Sequence, residues 1–161
     1  MARAKKQISP RQKNHVYLKE VELRFQNKRF NSTLTDKSLT HARMVYDLFS
    51  DLQNETKEKL IVISLGLKSK VLCFEVVAIG SIDSIQQVRA LEIFRTPIVM
   101  NAKGVIVVHN HPSGDPQPSS NDIKFTQKLV RVARELGLEF NDHVIIGRNR
   151  YYSFEDDAML W

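Results

Sequence analysis

Apolar and polar positions along the chain switch between a period of two and a period near 3.6, and the switches mark its elements. Across residues 16–25, Val16, Leu18, Val21, Leu23 and Phe25 alternate with polar neighbours and slip once, at Lys19 and Glu20. That pattern predicts a strand with a bulge. Leu39, Ala42, Val45, Leu48 and Leu52 follow helical spacing behind Thr35 or Asp36 as a cap, which predicts a helix to about Leu52. Residues 60–67 and 71–79 are apolar, β-branched runs on either side of residues 68–70, and read as a buried hairpin. Residues 82–102 read as a helix that Pro97 must kink or delimit.

Residues 104–108 form a short, fully apolar strand that ends at His109, and residues 110–120 a loop rich in Pro, Ser and Gly. Ser120 or Asn121 caps a helix to Leu136, with Ile123, Thr126, Leu129, Val130, Ala133 and Leu136 facing inward and Gly137 closing it. Residues 138–147 and 151–154 make a last hairpin around Arg148, Asn149 and Arg150. Strands and helices in this order predict an α/β (α+β) sandwich, a central mixed sheet flanked by helices.

Length holds this to one domain of 161 residues, with no internal repeat. Charge divides it further. Residues 1–30 hold nine Lys or Arg and two acids, a balance of +7, while the remainder of the chain stands at −1. Residues 1–14, polar and without period, read as a basic disordered arm, and residues 15–161 as the folded domain. The basic residues 3–29 suggest contact with nucleic acid or an acidic partner, or else a solvated tail. Cys73 is the single cysteine, which rules out an internal disulfide and a cysteine-rich zinc knuckle and suits a cytoplasmic protein. The N-terminus lacks the apolar core of a secretory signal, and no apolar run reaches the length of a membrane span, so no membrane partner is expected.

The chemistry concentrates between Val107 and Asp122. His109 and His111 stand two apart at the end of a buried strand, where residues i and i+2 share a side, so two imidazoles can chelate one ion. Asp122, at the start of the next helix, can add a carboxylate. Two neutral nitrogens and one carboxylate suit Zn2+ and leave a fourth position open, the mark of a catalytic site. Such a site needs a carboxylate as general base and a hydroxyl to steady a developing oxyanion. Ser119, three residues before Asp122, is placed for the second task.

His-x-His, seven residues, Ser, two residues and Asp make up the core of the JAMM motif, and His109, His111, Ser119 and Asp122 match it position for position. The string from His109 to Asp115 (HNHPSGD) and that from Asp142 to Gly147 (DHVIIG) resemble the RadC-like branch of JAB/MPN proteins. The resemblance covers roughly residues 35–160. It implies the MPN/JAB, cytidine-deaminase-like architecture and a zinc-dependent hydrolase acting on a peptide or isopeptide bond. The branch also carries a DNA-repair name, which implies a second possibility: a protein of repair, mobile-element or phage-defence type acting on or near nucleic acid. The family motif further needs an upstream glutamate at the start of a core strand. Glu58, 51 residues before His109, takes that place as general base; Glu75, 34 residues before, is its rival.

The chain departs from the pattern at Asn110, where deubiquitinating relatives carry Ser or Thr, at Leu91 and at Pro97. It is expected to be a short form without the helix-hairpin-helix module. Each residue also has a plainer reading. Asp122 and Ser119 would cap a helix. Glu58 would be a solvated charge beside Lys57 and Lys59. Asp115 would serve its turn. Asp142 and His143 could support the metal from behind but read first as strand residues. His15 and His41 read as surface residues, and Cys73 as a buried thiol.

Overall fold

The computed structural model describes residues 21–22, 24–29, 38–80 and 87–160. Its strands are β1 (Glu58–Leu65), β2 (Val71–Gly80), β3 (Gly104–Asn110), β4 (Glu139–Gly147) and β5 (Arg150–Ser153), joined in one sheet in the order β2-β1-β3-β4-β5. β3 and β4 run parallel and every other neighbouring pair antiparallel, so the sheet is mixed. α1 (Ala42–Phe49) packs on one face, and α2 (Ala90–Val99) and α3 (Ser120–Glu135) on the other. This is the flanked mixed sheet that the sequence predicts.

With helices on both faces, β3 is buried along its whole length. Alternation sends Ile106 and Val108 into the core under α1, and Val105 and Val107 into the core under α2 and α3. His109, two residues after Val107, therefore emerges on the α3 face. β1 repeats the pattern: Ile61 and Ile63 face α1, while Leu60 and Val62 face α2 and α3. Glu58 shares the parity of Leu60. Leu60 lies opposite His109 in the antiparallel pair, which brings Glu58 level with His111.

Several boundaries differ from expectation. The first helix begins at Ala42, not behind Thr35 or Asp36, which lie outside the described residues. Ser38 bridges Lys70, and the Leu39 N–H donates to the Ser69 carbonyl at 3.0 Å. Leu39 thus reaches the core from an extended segment that happens to share helical spacing. After Phe49 the chain tightens into a 3-10 turn over Ser50–Asn54. The helix expected over residues 82–102 is shorter: residues 88 and 89 are extended or irregular, α2 starts at Ala90, and Pro97 sits within it. Residues 81–86 lie outside the described ones.

The hairpin of β1 and β2 forms, but β2 is the edge strand and only half-buried, so Cys73 is half-buried rather than enclosed. α3 is capped by Ser119, one residue earlier than expected, and Phe125 joins its inner face while Leu136 is exposed. Its end is a Schellman turn: Gly137 at φ +69° donates to Arg134, and Leu138 to Ala133. The arm of residues 1–14 and most of the strand expected over 16–25 lie outside the described residues; residues 21, 22, 24 and 25 carry no regular structure. Within the basic stretch, Arg24 pairs with Glu22 at 2.9 Å and the Lys28 ammonium lies 5.9 Å from the Phe74 ring centroid.

Candidate metal centre

β3 ends by handing its chain sideways. The His111 N–H donates to the Ile146 carbonyl of β4 at 2.9 Å, so the backbone stays extended for two residues past His109. The following loop is bolted to the β4–β5 hairpin. Arg148 N–H donates to the Gly114 carbonyl at 2.9 Å, and the chain crosses Gly147 so closely that a Cβ there would stand 2.6 Å from the Gly114 oxygen. No other residue fits at 147 without moving the loop. The crossing returns the chain to Ser119 and α3 beside β3.

His109 Nε2 and His111 Nε2 stand 3.0 Å apart. Asp122 Oδ1 is 3.5 Å from the first, and Oδ2 is 3.6 Å from the second. A tetrahedron's edge is about 1.6 times its centre-to-vertex distance, so zinc ligand atoms stand about 3.3–3.5 Å apart. One nitrogen from each histidine and the Asp122 carboxylate, whose two oxygens each face a different imidazole, thus gather close enough to hold one metal ion, all within 4.8 Å of one another.

The hydrogen bonds behind the donors point the same way. Thr126 Oγ1 donates to the Asp122 carbonyl at 2.7 Å. Its single proton is then spent, so its 2.6 Å contact with His143 Nδ1 is donated by the imidazole. His143 Nε2 is therefore a lone pair, and it accepts from His109 Nδ1 at 2.8 Å. That leaves the Nε2 of His109 as a lone pair. On the other side, His111 Nδ1 contacts the Asp115 carbonyl at 2.8 Å, an acceptor only, so neutral His111 also presents a bare Nε2. Two lone pairs and a carboxylate converge, an arrangement that could hold a metal ion.

The acid–base character agrees. Burial, with His143 and His111 adding to it against the pull of Asp122, holds His109 well below the ordinary imidazole value. Burial brings His143 down to about 4. Burial also pushes His111 down, but Asp122, the Asp115 carbonyl and the charge of Glu58 together raise it further. Burial would raise Asp122, yet donation from His111, the charge of His109 and two bonds from Ser119 hold it well below the carboxylate range. Asp122 is thus an anion, and without a metal the site draws a proton onto His111.

Ser119 caps α3. Its N–H and hydroxyl both donate to Asp122 Oδ2, at 2.7 and 2.5 Å, and its oxygen accepts the Asp122 N–H at 3.1 Å. Glu58 is buried at the head of β1, close enough for its charge to act on His111. Glu75 lies elsewhere: β2 is two strands from β3, and its carboxylate pairs with Arg95 at 2.6 Å and accepts the Thr96 hydroxyl. The solvated alternative for Glu58 is also excluded, since it is 4% exposed while Lys59 pairs with Glu55.

The sequence undervalued His143. It lies on β4 opposite Val107, fully buried, stacked on Phe154 at 5.1 Å and bonded to His109. Asp142 is not its carboxylate partner at the ring; it accepts the His143 and Glu155 N–H groups and the Ser153 hydroxyl. Asp115 serves its turn, with its carboxylate on the Gln117 N–H and Arg150. His41 is exposed, and His15 lies outside the described residues. Among the described residues no helix is long and apolar enough to cross a membrane.

Comparison with known proteins bears on this geometry. Residues 39–159 match the family described as RadC-like JAB domain. A UPF0758 protein of Protochlamydia amoebophila is 43% identical over 123 residues, 76% of this chain and 53% of that protein. One of Aquifex aeolicus is 34% identical over 134 residues, 83% of this chain and 58% of its own. One of Chlorobaculum tepidum is 40% identical over 120 residues, 74% and 54%. The chain spans about half the length of the curated relatives it matches.

Proposed function

The chain belongs to the RadC-like JAB domain family, within the JAMM-type metallohydrolase superfamily, and from that premise we propose that it hydrolyses a peptide or isopeptide bond with zinc held by His109, His111 and Asp122. The observation that carries this reading is the convergence of two imidazole lone pairs and one buried carboxylate within metal-holding distance. Bound zinc supplies Lewis acidity there, polarising a carbonyl and letting water ionise near neutral pH.

The chain's own groups do the rest. Glu58, buried on the same side as His109, takes a proton from the attacking water and returns it to the leaving nitrogen. Ser119 turns its hydroxyl from Asp122 to the oxyanion that develops at the scissile carbonyl. His143 and Thr126 keep the His109 lone pair aimed inward. Profiling of peptide, isopeptide-linked and nucleic-acid substrates with the zinc-loaded protein tests this, with Asp122→Ala as control. Zinc-dependent cleavage of an amide bond, lost in Asp122→Ala, is the expected result; cleavage that survives the substitution contradicts it.

The +7 balance of residues 1–30 favours a second reading, in which the domain works on or near nucleic acid in repair, mobile-element or phage defence. Deleting residues 1–14 removes five cations and no acid. If they meet phosphates, the salt slope of duplex binding flattens by up to roughly 0.9 per lost contact. An unchanged slope means that the arm does not touch the phosphate backbone.

A further inference from the structure

Asn110 stands between the two histidines, and its side chain is spent on β1. It is fully buried. Its Oδ1 accepts the Lys59 N–H at 2.8 Å, and its Nδ2 donates to the Lys57 carbonyl at 3.2 Å. Those two backbone groups flank Glu58 on either side. The last backbone pair between β1 and β3 is Leu60 with His109, while on its other side β3 goes on bonding β4 as far as the His111 N–H. The first turn of the ladder beyond that pair would therefore lose both its donor and its acceptor.

One planar amide carries an acceptor and a donor, as a peptide group does. We infer that Asn110 stands in for the missing rung of β3 and is the positioning residue for Glu58, holding β1 extended to its first residue while the backbone turns away to deliver His111. Without it, the Lys57 carbonyl and the Lys59 N–H at the head of β1 would have no partner on β3. A hydroxyl at this position is too short to span the Lys57 and Lys59 groups with separate atoms. The inference rests on Glu58 being the general base of the proposed function.

The test needs no substrate. Cobalt(II) replaces zinc, and its visible absorption reports ionisation next to the metal, followed against pH. Four proteins are compared: wild type, Glu58→Gln, Asn110→Ala and the double variant. All should bind one equivalent of cobalt, since Asn110 makes no bond to a ligand atom. Glu58→Gln should move the midpoint by about one pH unit, the worth of one hydrogen bond to a charged group. Asn110→Ala should move it the same way, and the double variant no further than Glu58→Gln alone. Amide exchange at Lys59 should accelerate in Asn110→Ala. Asn110→Asp provides a second variant if alanine does not fold. It keeps the acceptor for Lys59 but sets a carboxylate oxygen against the Lys57 carbonyl, and should shift the midpoint as well. Shifts that add in the double variant overturn the inference, as does an unmoved midpoint or unchanged Lys59 exchange in the Asn110 variants. If Glu58→Gln itself moves nothing, the base reading falls and the inference falls with it.

Discussion

Two polar clusters lie on the same face of the sheet, one around Glu75 and one beside Glu58, the two carboxylates that the sequence offers as a catalytic base. Around Glu75, charge meets charge at the rim. Arg95 pairs with it at 2.6 Å with its side chain 63% exposed, and Thr96 adds a hydroxyl. Such a pair satisfies itself, and its contribution to stability is small. At the end of β3 the groups are mostly buried, and two imidazoles and a carboxylate crowd together. His109, His111 and Asp122 turn lone pairs toward a common point, while Thr126, His143 and the Asp115 carbonyl take up the protons behind them. A cluster that completes itself is a tether. One whose imidazoles are held from behind, with their other nitrogens gathered around a carboxylate, could hold a metal ion.

The sharpest way to break this contrast is to neutralise each glutamate in turn. Glu58→Gln should retain zinc and lose turnover by roughly a hundredfold or more, the scale of a positioned general base. Glu75→Gln should retain both. Steady-state kinetics on a substrate found by profiling, with zinc content measured alongside, decides it. The opposite pattern would exchange the roles of the two clusters. Next in size is the proton chain. His143→Phe keeps the stacking on Phe154 but removes the acceptor for His109, and Thr126→Val removes the acceptor for His143. Each should weaken zinc binding about tenfold to a hundredfold in a chelator competition. Arg95→Ala, in the other cluster, should leave affinity unchanged.

Asp142 sharpens the contrast from a third side. Like Asp122 it is a buried carboxylate, but its partners are N–H and O–H donors without a cation. Burial therefore prevails and raises it to about 6, whereas the histidines and Ser119 keep Asp122 low. Because its folded value lies above the unfolded one, Asp142 contributes stability that is complete below about pH 4 and lost as pH rises through 6. Asp142→Asn keeps an acceptor for the two N–H groups. It should flatten the pH dependence of thermal unfolding between about 4 and 6, by up to about 3 kcal/mol. An unchanged profile would mean that Asp142 stays ionised throughout. The smallest effect belongs to the tether. Arg95→Ala should cost at most about 1 kcal/mol in denaturant unfolding, and a larger loss would mark the Glu75 cluster as more than a surface pair.

The candidate site was legible because it is local: His109, His111, Ser119 and Asp122 fall within fourteen positions, and strand parity and helix capping fix their directions. The hairpins, β3 and α3 were legible from period alone. His143, Thr126 and Asn110 were not, because their meaning arises from strand pairing. His143 meets His109 across 34 residues, and Asn110 meets Lys57 across 53. A string such as Asp142-His143 even suggests the wrong partnership, since neighbours on a strand face opposite sides. The first helix was misplaced for a related reason. Leu39 is buried, as helical spacing implies, but an extended segment docked by Ser38 on Lys70 takes it there. Leu136 keeps the period of α3 and is nonetheless exposed, because the Schellman turn ends the helix around it.

The central claim is that the cluster at the end of β3 is completed by one metal ion. Zinc content after dialysis, measured on wild type and on His109→Ala/His111→Ala with folding checked by circular dichroism, tests it most directly. The account predicts about one zinc per wild-type chain and almost none in the folded double variant. A folded double variant that still carries a full equivalent of zinc would contradict it.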